Sequence, residues 1–226
     1  INTKYSIKDQ IVIFQSDGSK AFNSKIDYNG QLAINPFDLN LKINLYNYKI
    51  SNLFRPNSII NEFIKSGLLF NENISVHTLV NIKSTKKDKI FNEAKLELRV
   101  LNGKISFDKS IFINNNIGLI EVSNSDLFLE NDKLILTANL SIDIKNIDRL
   151  YSFLNTNKRL RKDIKNIKLN IIYDLLGDEI AFKNIKIDEN KVSDQFYNIA
   201  EGFNDNNSNN LTKSRRLLNE LIGLYE

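Results

Sequence analysis

The feature that most restricts the fold is a strict two-residue alternation of apolar and polar side chains, held over unusually long stretches. In the clearest stretch Leu134, Leu136, Ala138, Leu140, Ile142 and Ile144 alternate with Lys133, Thr137, Asn139, Ser141, Asp143 and Lys145. A second runs through Phe37, Leu39, Leu41, Ile43 and Leu45, opposed by Asp38, Asn40, Lys42 and Asn44. A third runs through Ile167, Leu169, Ile171, Tyr173 and Leu175. Successive side chains of an extended chain point to opposite faces, so each stretch predicts a strand with one apolar face and one wet face. That pattern is expected of an antiparallel sheet. Shorter versions occur at Ile74, Val76, Thr78, Val80 and Ile82 and at Leu96, Leu98 and Val100. Others lie near residues 5–14, 20–28, 104–113, 117–123, 126–130 and 180–188, so about eleven strands over roughly half the chain are expected, well above the usual share. Residues 37–50 and 133–145 would each extend roughly 40–46 Å, long for a compact sandwich.

Turn chemistry supports the antiparallel reading. Asp17-Gly18, Asn29-Gly30 and Asn102-Gly103 each stand between alternating stretches and supply the positive φ values of two-residue hairpins, with Gly177-Asp178 as a fourth reversal. Only Pro36 and Pro56 occur, and neither interrupts a long alternating run.

Three segments depart from period two. Residues 52–66 carry Leu53, Ile59, Ile60, Phe63 and Ile64 at helical spacing, with Gly67 as a stop. Residues 146–156 place Ile147, Leu150, Tyr151, Phe153 and Leu154 on one helical face, with Asn146 as N-cap and Asp148 in the first turn. The polar FNDNNSNN run at 203–210 reads as a linker. Beyond it an amphipathic helix is expected, with Leu217, Leu218, Leu221 and Leu224 apolar and Lys213, Arg215 and Arg216 basic. The domain reading is therefore a β domain over 1–200 with helical insertions at about 52–66 and 146–156, a linker at 201–210 and a helix at 211–226.

Composition narrows the chemistry. The 226 residues contain no Cys, Met or Trp and a single His, which removes disulfides, thiol nucleophiles, Cys-based zinc sites and His-rich metal centres. With no Met, Ile1 reads as an internal position of a longer protein. No apolar run approaches the length of a membrane-spanning helix. Asn is the most abundant residue at 35, with 32 Ile and 24 Lys against 6 Val, a pattern of AT-rich codons. The sequons at Asn73, Asn139, Asn206 and Asn210 are about as many as that composition yields by chance, so they carry little weight.

His77 lies on the polar side of its stretch beside Ser75 and has no second His to share a metal, so it reads as an exposed strand residue. Asp143, Asp174 and Asp188 fall among Lys and Asn on polar faces, where solvation accounts for them, and no phosphate loop or nucleophile elbow occurs. No cofactor is called for. Lys158, Arg159, Arg161, Lys162, Lys165 and Lys168 form the strongest basic cluster, able to meet phosphates or anionic headgroups. Asp163 interrupts it and no aromatic platform interleaves, so no nucleic-acid partner is expected. The helix carrying Leu217, Leu218 and Leu221 suits a membrane surface or partner, or more commonly a cap on the sheet. What remains is the sheet: a long apolar face has to fold on itself, close into a barrel or hold an apolar ligand.

Several phrases resemble the AsmA-like proteins of the Gram-negative envelope. The stretch Gly30-Gln-Leu-Ala-Ile-Asn-Pro-Phe37 leads into a long alternating strand and then Ile59-Ile60-Asn-Glu-Phe63-Ile64. Leu101-Asn-Gly-Lys-Ile-Ser-Phe107 resembles the same family, as does Asn131-Asp-Lys-Leu-Ile-Leu-Thr-Ala-Asn-Leu140 with the Tyr151-Ser-Phe-Leu helix, over roughly residues 20–190. The resemblance implies a periplasmic body anchored in the inner membrane by a segment outside this chain. That body is a twisted, largely antiparallel sheet curled into an apolar groove, with a few short helices. It also implies a non-enzymatic role in moving phospholipid toward the outer membrane, with other segments of a longer chain and envelope proteins as partners. Acyl chains would lie along Leu39, Leu41, Ile43, Leu45, Leu96, Leu98, Leu134, Leu136, Leu140, Ile142, Ile144, Ile167, Leu169 and Ile171. The main rival is a structural or adhesin-like β domain with a filled core and no ligand. An outer-membrane barrel fits the alternation but not the helical insertions, the lack of Trp or the weak aromatic girdling. An enzyme would need acids converging in a pocket.

Overall fold

A computed structural model describes residues 1–21, 24–50, 66–84, 90–203 and 211–225. The protein is mainly β, 54% strand and 19% helix, and the described pairings are antiparallel with one exception. The chain divides into two compact units, Ile1–Asn114 with Ser125–Phe128, and Asn115–Asn124 with Leu129–Glu226.

Unit 1 is built on β1 (Thr3–Lys8), β2 (Ile11–Ser16), β3 (Lys20–Ala21), β4 (Ser24–Ala33), β5 (Phe37–Tyr46), β6 (Ile74–Lys83), β7 (Glu93–Leu101), β8 (Lys104–Ser106) and β9 (Ile111–Asn114). They lie in the order β1-β2-β4-β5-β6-β7-β8, with β3 on β4 and β9 on β7. The exception to antiparallel pairing is β5 on β6, which runs in parallel register from Phe37↔Ile74 to Tyr46↔Lys83. Parallel neighbours need a crossover, and the connection from 47 to 73 supplies it. The helix expected at 52–66 falls almost wholly outside the described residues; its expected stop, Gly67, has φ +75 and precedes a short 3-10 turn at Leu68–Phe70.

Hairpin chemistry is partly as expected. Asn102 and Gly103, both at positive φ, join β7 to β8. The same two-residue geometry joins β1 to β2 through Asp9 and Gln10, where no glycine marks it. The turn expected at Asn29-Gly30 is not one: both residues lie inside β4, with Gly30 opposite Phe14 on one side and Leu41 on the other. A Cβ on Gly30 would stand 2.7 Å from the Phe14 ring and 2.5 Å from the Asn40 carbonyl, so the glycine makes room for an aromatic ring. Asp17-Gly18 does turn the chain, but into β3, and β2 pairs with β4.

Where strands break, buried serines replace the backbone ladder. Ser110 accepts from the Glu97 N–H at 3.0 Å and donates to the Glu97 carbonyl at 3.5 Å, between the stretches of β7 that pair with β8 and β9. Ser19 does the same for Asn2, at 2.9 and 2.6 Å. Ser125 accepts from the Phe107 N–H at 2.7 Å and donates to Asp108 Oδ1 at 2.7 Å.

Unit 2 is built on most of β10 (Gly118–Glu130), β11 (Lys133–Ile144), β12 (Asn166–Asp174), β13 (Glu179–Ile187) and β14 (Asn190–Lys191). Strand β10 was expected as two strands; Ser125–Phe128 of it belong to unit 1. Register runs Leu136↔Tyr173, Leu140↔Leu169 and Ile142↔Ile167 between β11 and β12, then Ile171↔Phe182 and Ile167↔Ile187 onto β13. Two-residue turns at Asn131-Asp132 and Asp188-Glu189 have positive φ throughout.

Three helices belong to this unit: α1 (Ile147–Leu154), α2 (Asp194–Glu201) and α3 (Leu211–Leu224). Helix α1 begins as the sequence predicts, with Asn146 Oδ1 accepting from the Arg149 N–H at 3.0 Å and Asp148 in the first turn. Helix α2 was not anticipated. Its Phe196 and Ala200, one turn apart, are both buried. Phe196 and Leu221 close over Ile164, Ile185 and Ile187, with Ile144, Ile147, Ile167, Leu169 and Phe182 packed around them. On its other side α3 packs Ile222 against Tyr151 and Leu154 of α1.

Ser110→Ala leaves both backbone groups of Glu97 without their buried partner, at a cost of about 1–3 kcal/mol. The urea midpoint should fall with the slope unchanged.

Candidate functional site

Cross-strand register turns the separate alternating stretches into continuous apolar rows. In unit 1 one row runs Tyr28–Ile43–Val80–Leu96, and a second Gly30–Leu41–Thr78–Leu98, continued outward by Phe14 and Tyr5. Two further rows run Leu32–Leu39–Val76–Val100 and Ile26–Leu45–Ile82–Ala94. The structure thus brings the expected lining residues Leu39, Leu41, Ile43, Leu45, Leu96 and Leu98 onto one face of adjacent strands.

Among the described residues nothing seals these rows along their length. Leu39, Leu41, Ile43, Leu45, Val80, Leu96 and Leu98 are all only half-buried, whereas Val76 and Val100 in one outer row, and Ile82 and Ala94 in the outer row at the other end, are buried. Ile50, Ile82 and Ala94 form a small core with Tyr48, Phe91 and Phe112 at that end. Toward the edge cover thins further: Tyr5 and Ile7 on β1 are 70% and 68% exposed.

In unit 2 the expected residues separate into three groups. Ile144, Ile167 and Leu169 pack under the helices. Leu136 and Ile171 lie in rows with Tyr173 and Phe182, while Leu140 and Ile142 pair with Leu169 and Ile167; all four are half-buried, as are the three packed against the core. Leu134 is fully buried and acts as core. Burial and a hydrogen bond to Asp178 Oδ1 at 2.6 Å push the Tyr173 phenol well above its usual range. The basis for these rows in the sequence was the alternation itself; Tyr28, Phe14 and Phe182 were missed as members because single residues do not reveal their partners.

On the C-terminal helix Leu217 and Leu221 are buried, and Leu218 is 37% exposed. No helix among the described residues is long and apolar enough to cross a membrane.

The opposite face of unit 1 holds a polar cluster of Glu97, Arg99 and His77. Glu97 Oε1 accepts from Arg99 Nε at 2.9 Å, Arg99 Nη2 at 2.5 Å and His77 Nε2 at 3.1 Å. A carboxylate only accepts, so His77 presents Nε2–H to it. The Arg99 hydrogen bonds, reinforced by His77, hold the Glu97 carboxyl below its ordinary range despite its burial. In unit 2 Asp174 is also held low, by the Gly177 and Leu176 N–H groups at 3.1 and 3.0 Å and by Lys133. Asp174 thereby organises the backbone of its turn, whereas Glu97 ties the Arg99 and His77 side chains together across β6 and β7. Among the described residues no group of three or more His, Asp or Glu gathers as a metal site.

No known family model, curated protein or solved structure matches this chain. The resemblance to AsmA-like proteins rests on the quoted phrases alone.

Glu97 and Asp174 have folded-state values below their unfolded ones, so the unfolded chain binds more protons in acid and stability rises with pH there. Their contribution is complete above the ordinary carboxylate range and is lost as pH falls through the depressed folded values. Melting temperature should be flat near neutrality and fall below about pH 4.5, with Glu97→Gln and Asp174→Asn each reducing the slope.

Proposed function

We propose that the protein is a non-enzymatic binder of acyl chains, which lie along the half-buried apolar rows of its strands. The carrying observation is that Leu39, Leu41, Ile43, Leu45, Leu96 and Leu98 share one face in register yet none is fully buried. Water against such a face is costly, and each acyl CH₂ moved onto it gains about 0.8 kcal/mol. No reacting group is required. The rows present aliphatic and aromatic side chains with few polar groups, which suits a ligand recognised by its apolar length.

The finer reading is phospholipid transport and outer-membrane maintenance in the periplasm of a Gram-negative cell. Its support is the resemblance to AsmA-like proteins together with the long alternating strands. Other segments of a longer chain and envelope proteins would be the partners. One observation favours the structural alternative in part of the molecule: Ile164, Ile185 and Ile187 are buried with Phe196 of α2 and Leu221 of α3, as in a filled core.

The decisive experiment is photo-crosslinking in cells from Ile43, Leu136, Leu140 and Ile171, followed by lipid analysis of the adducts. Lipid adducts are expected from all four. Crosslinks only between strands would reject acyl-chain binding. In vitro, Leu41→Gln and Ile43→Gln should weaken displacement of a fluorescent fatty acid several-fold while leaving the fold intact. Ile82→Gln, at a site 1% exposed, should instead destabilise by about 2–5 kcal/mol.

A further inference from the structure

An open surface pocket of about 410 Å³ lies in unit 2 between α1, the 3-10 turn Lys158–Leu160 and α3. Leu160, Thr212, Arg215, Arg216, Asn219 and Glu220 are among its lining. Its frame is tied down: Asn219 accepts from Thr156 Oγ1 at 2.5 Å and donates to the Leu154 carbonyl at 3.0 Å, which fixes α3 to the end of α1. Tyr151, on the buried side of α1, accepts from the Lys162 N–H at 2.8 Å and donates to the Lys162 carbonyl, anchoring the basic segment around it.

The lining carries two guanidinium groups against one carboxylate. Glu220 sits 3.4 Å from Arg216 Nε in an exposed i,i+4 pair, which is worth little in water. Arg215 is held by its face, with its guanidinium carbon 4.9 Å from the Phe153 ring centroid. Stacking uses no N–H donor, and Arg215 Nε is buried with no hydrogen-bond partner among the described residues. With Nε unpaired and its face on an aromatic ring, the Arg215 charge is poorly compensated within the protein, and an anion in the pocket would offset it. Thr212 adds a hydroxyl from the first turn of α3, where the helix dipole favours negative charge. Lys158 and Arg159, both exposed, precede Leu160 in the same turn and keep the surroundings positive.

We propose that this pocket is an anion site that takes a phosphate ester, with Arg215 and Arg216 as its principal ligands and Thr212 as a supporting donor. Planar guanidinium groups match phosphate oxygens in pairs, which selects phosphate over a lone halide. The site stands independently of acyl-chain binding, because none of the half-buried rows contributes to it. The ester is either a free small phosphate or the headgroup of a phospholipid.

The test is calorimetric titration of the full chain, in phosphate-free buffer at low salt, with glycerol 3-phosphate, inorganic phosphate and dihexanoyl phosphatidylglycerol. Saturable binding of at least one is expected. Arg215→Gln and Arg216→Gln should each weaken it by roughly tenfold, the scale of a lost charge-assisted hydrogen bond. Glu220→Gln should tighten it several-fold. The charge-matched pair Lys183→Gln with Lys191→Gln, on exposed strand positions of the same unit, should leave it unchanged. Should Arg215→Gln fail to fold, the exposed Arg216 and Glu220 variants decide the question. Equal affinity for glycerol 3-phosphate and the short-chain lipid assigns a free ester; tenfold preference for the lipid assigns a headgroup. No saturable binding, or equal weakening by the Lys pair, overturns the site.

Discussion

Everything in this protein hangs on inter-strand register. In unit 1 the offset between β5 and β6 is constant over ten residue pairs, and the β4–β5 and β6–β7 ladders keep the same parity. Apolar side chains therefore meet apolar side chains across four strands. A slip of one residue in any ladder would turn that strand's Leu and Ile into the polar face and bring Asn, Lys or Glu among the apolar rows. The apolar face is thus both what specifies the register and what the register creates.

The ladders are interrupted in places, and short hydroxyls make the interruptions tolerable. Ser19, Ser110 and Ser125 are buried, yet each spends its hydrogen-bonding capacity on a neighbouring strand or loop. A larger side chain would not fit such a gap, and an alanine would leave backbone groups unsatisfied. Gly30 answers the opposite need, since its missing side chain is the space that Phe14 fills. Both devices keep the strands long without losing pairing.

Alternation was legible because it depends only on the sequence neighbours of each residue. So was α1, whose start signal is a single Asn reaching one turn along the chain. The parallel pairing of β5 with β6 was not legible, because a strand with one wet face reads the same in either direction. Asn29-Gly30 misled because the dipeptide suits a tight turn equally well as a strand facing an aromatic ring two strands' length away in sequence. Turns at Asp9-Gln10 and Asp188-Glu189 were missed because they reach positive φ without glycine. Helix α2 is as short as α1 and is flanked by Ser193 and Gly202, but it lacks the side-chain cap that marks the start of α1.

Of the lining residues, the sequence determined which side of a strand each would occupy, because period two is a property of the extended backbone itself. It likewise determined what chemistry was left: without Cys, Met or Trp and with one His, apolar surface and Arg or Lys charge carry most of the possibilities. Only the tertiary structure decided which apolar positions are covered. Leu169 and Leu140 read alike, face each other across β11 and β12 and are both half-buried, yet Leu169 packs against the core that α2 and α3 complete and Leu140 does not. The same holds for Arg215, whose burial beside Phe153 depends on α3 returning to α1 from more than sixty residues away in sequence. Coverage arises from contacts distant in sequence, and no local pattern encodes them.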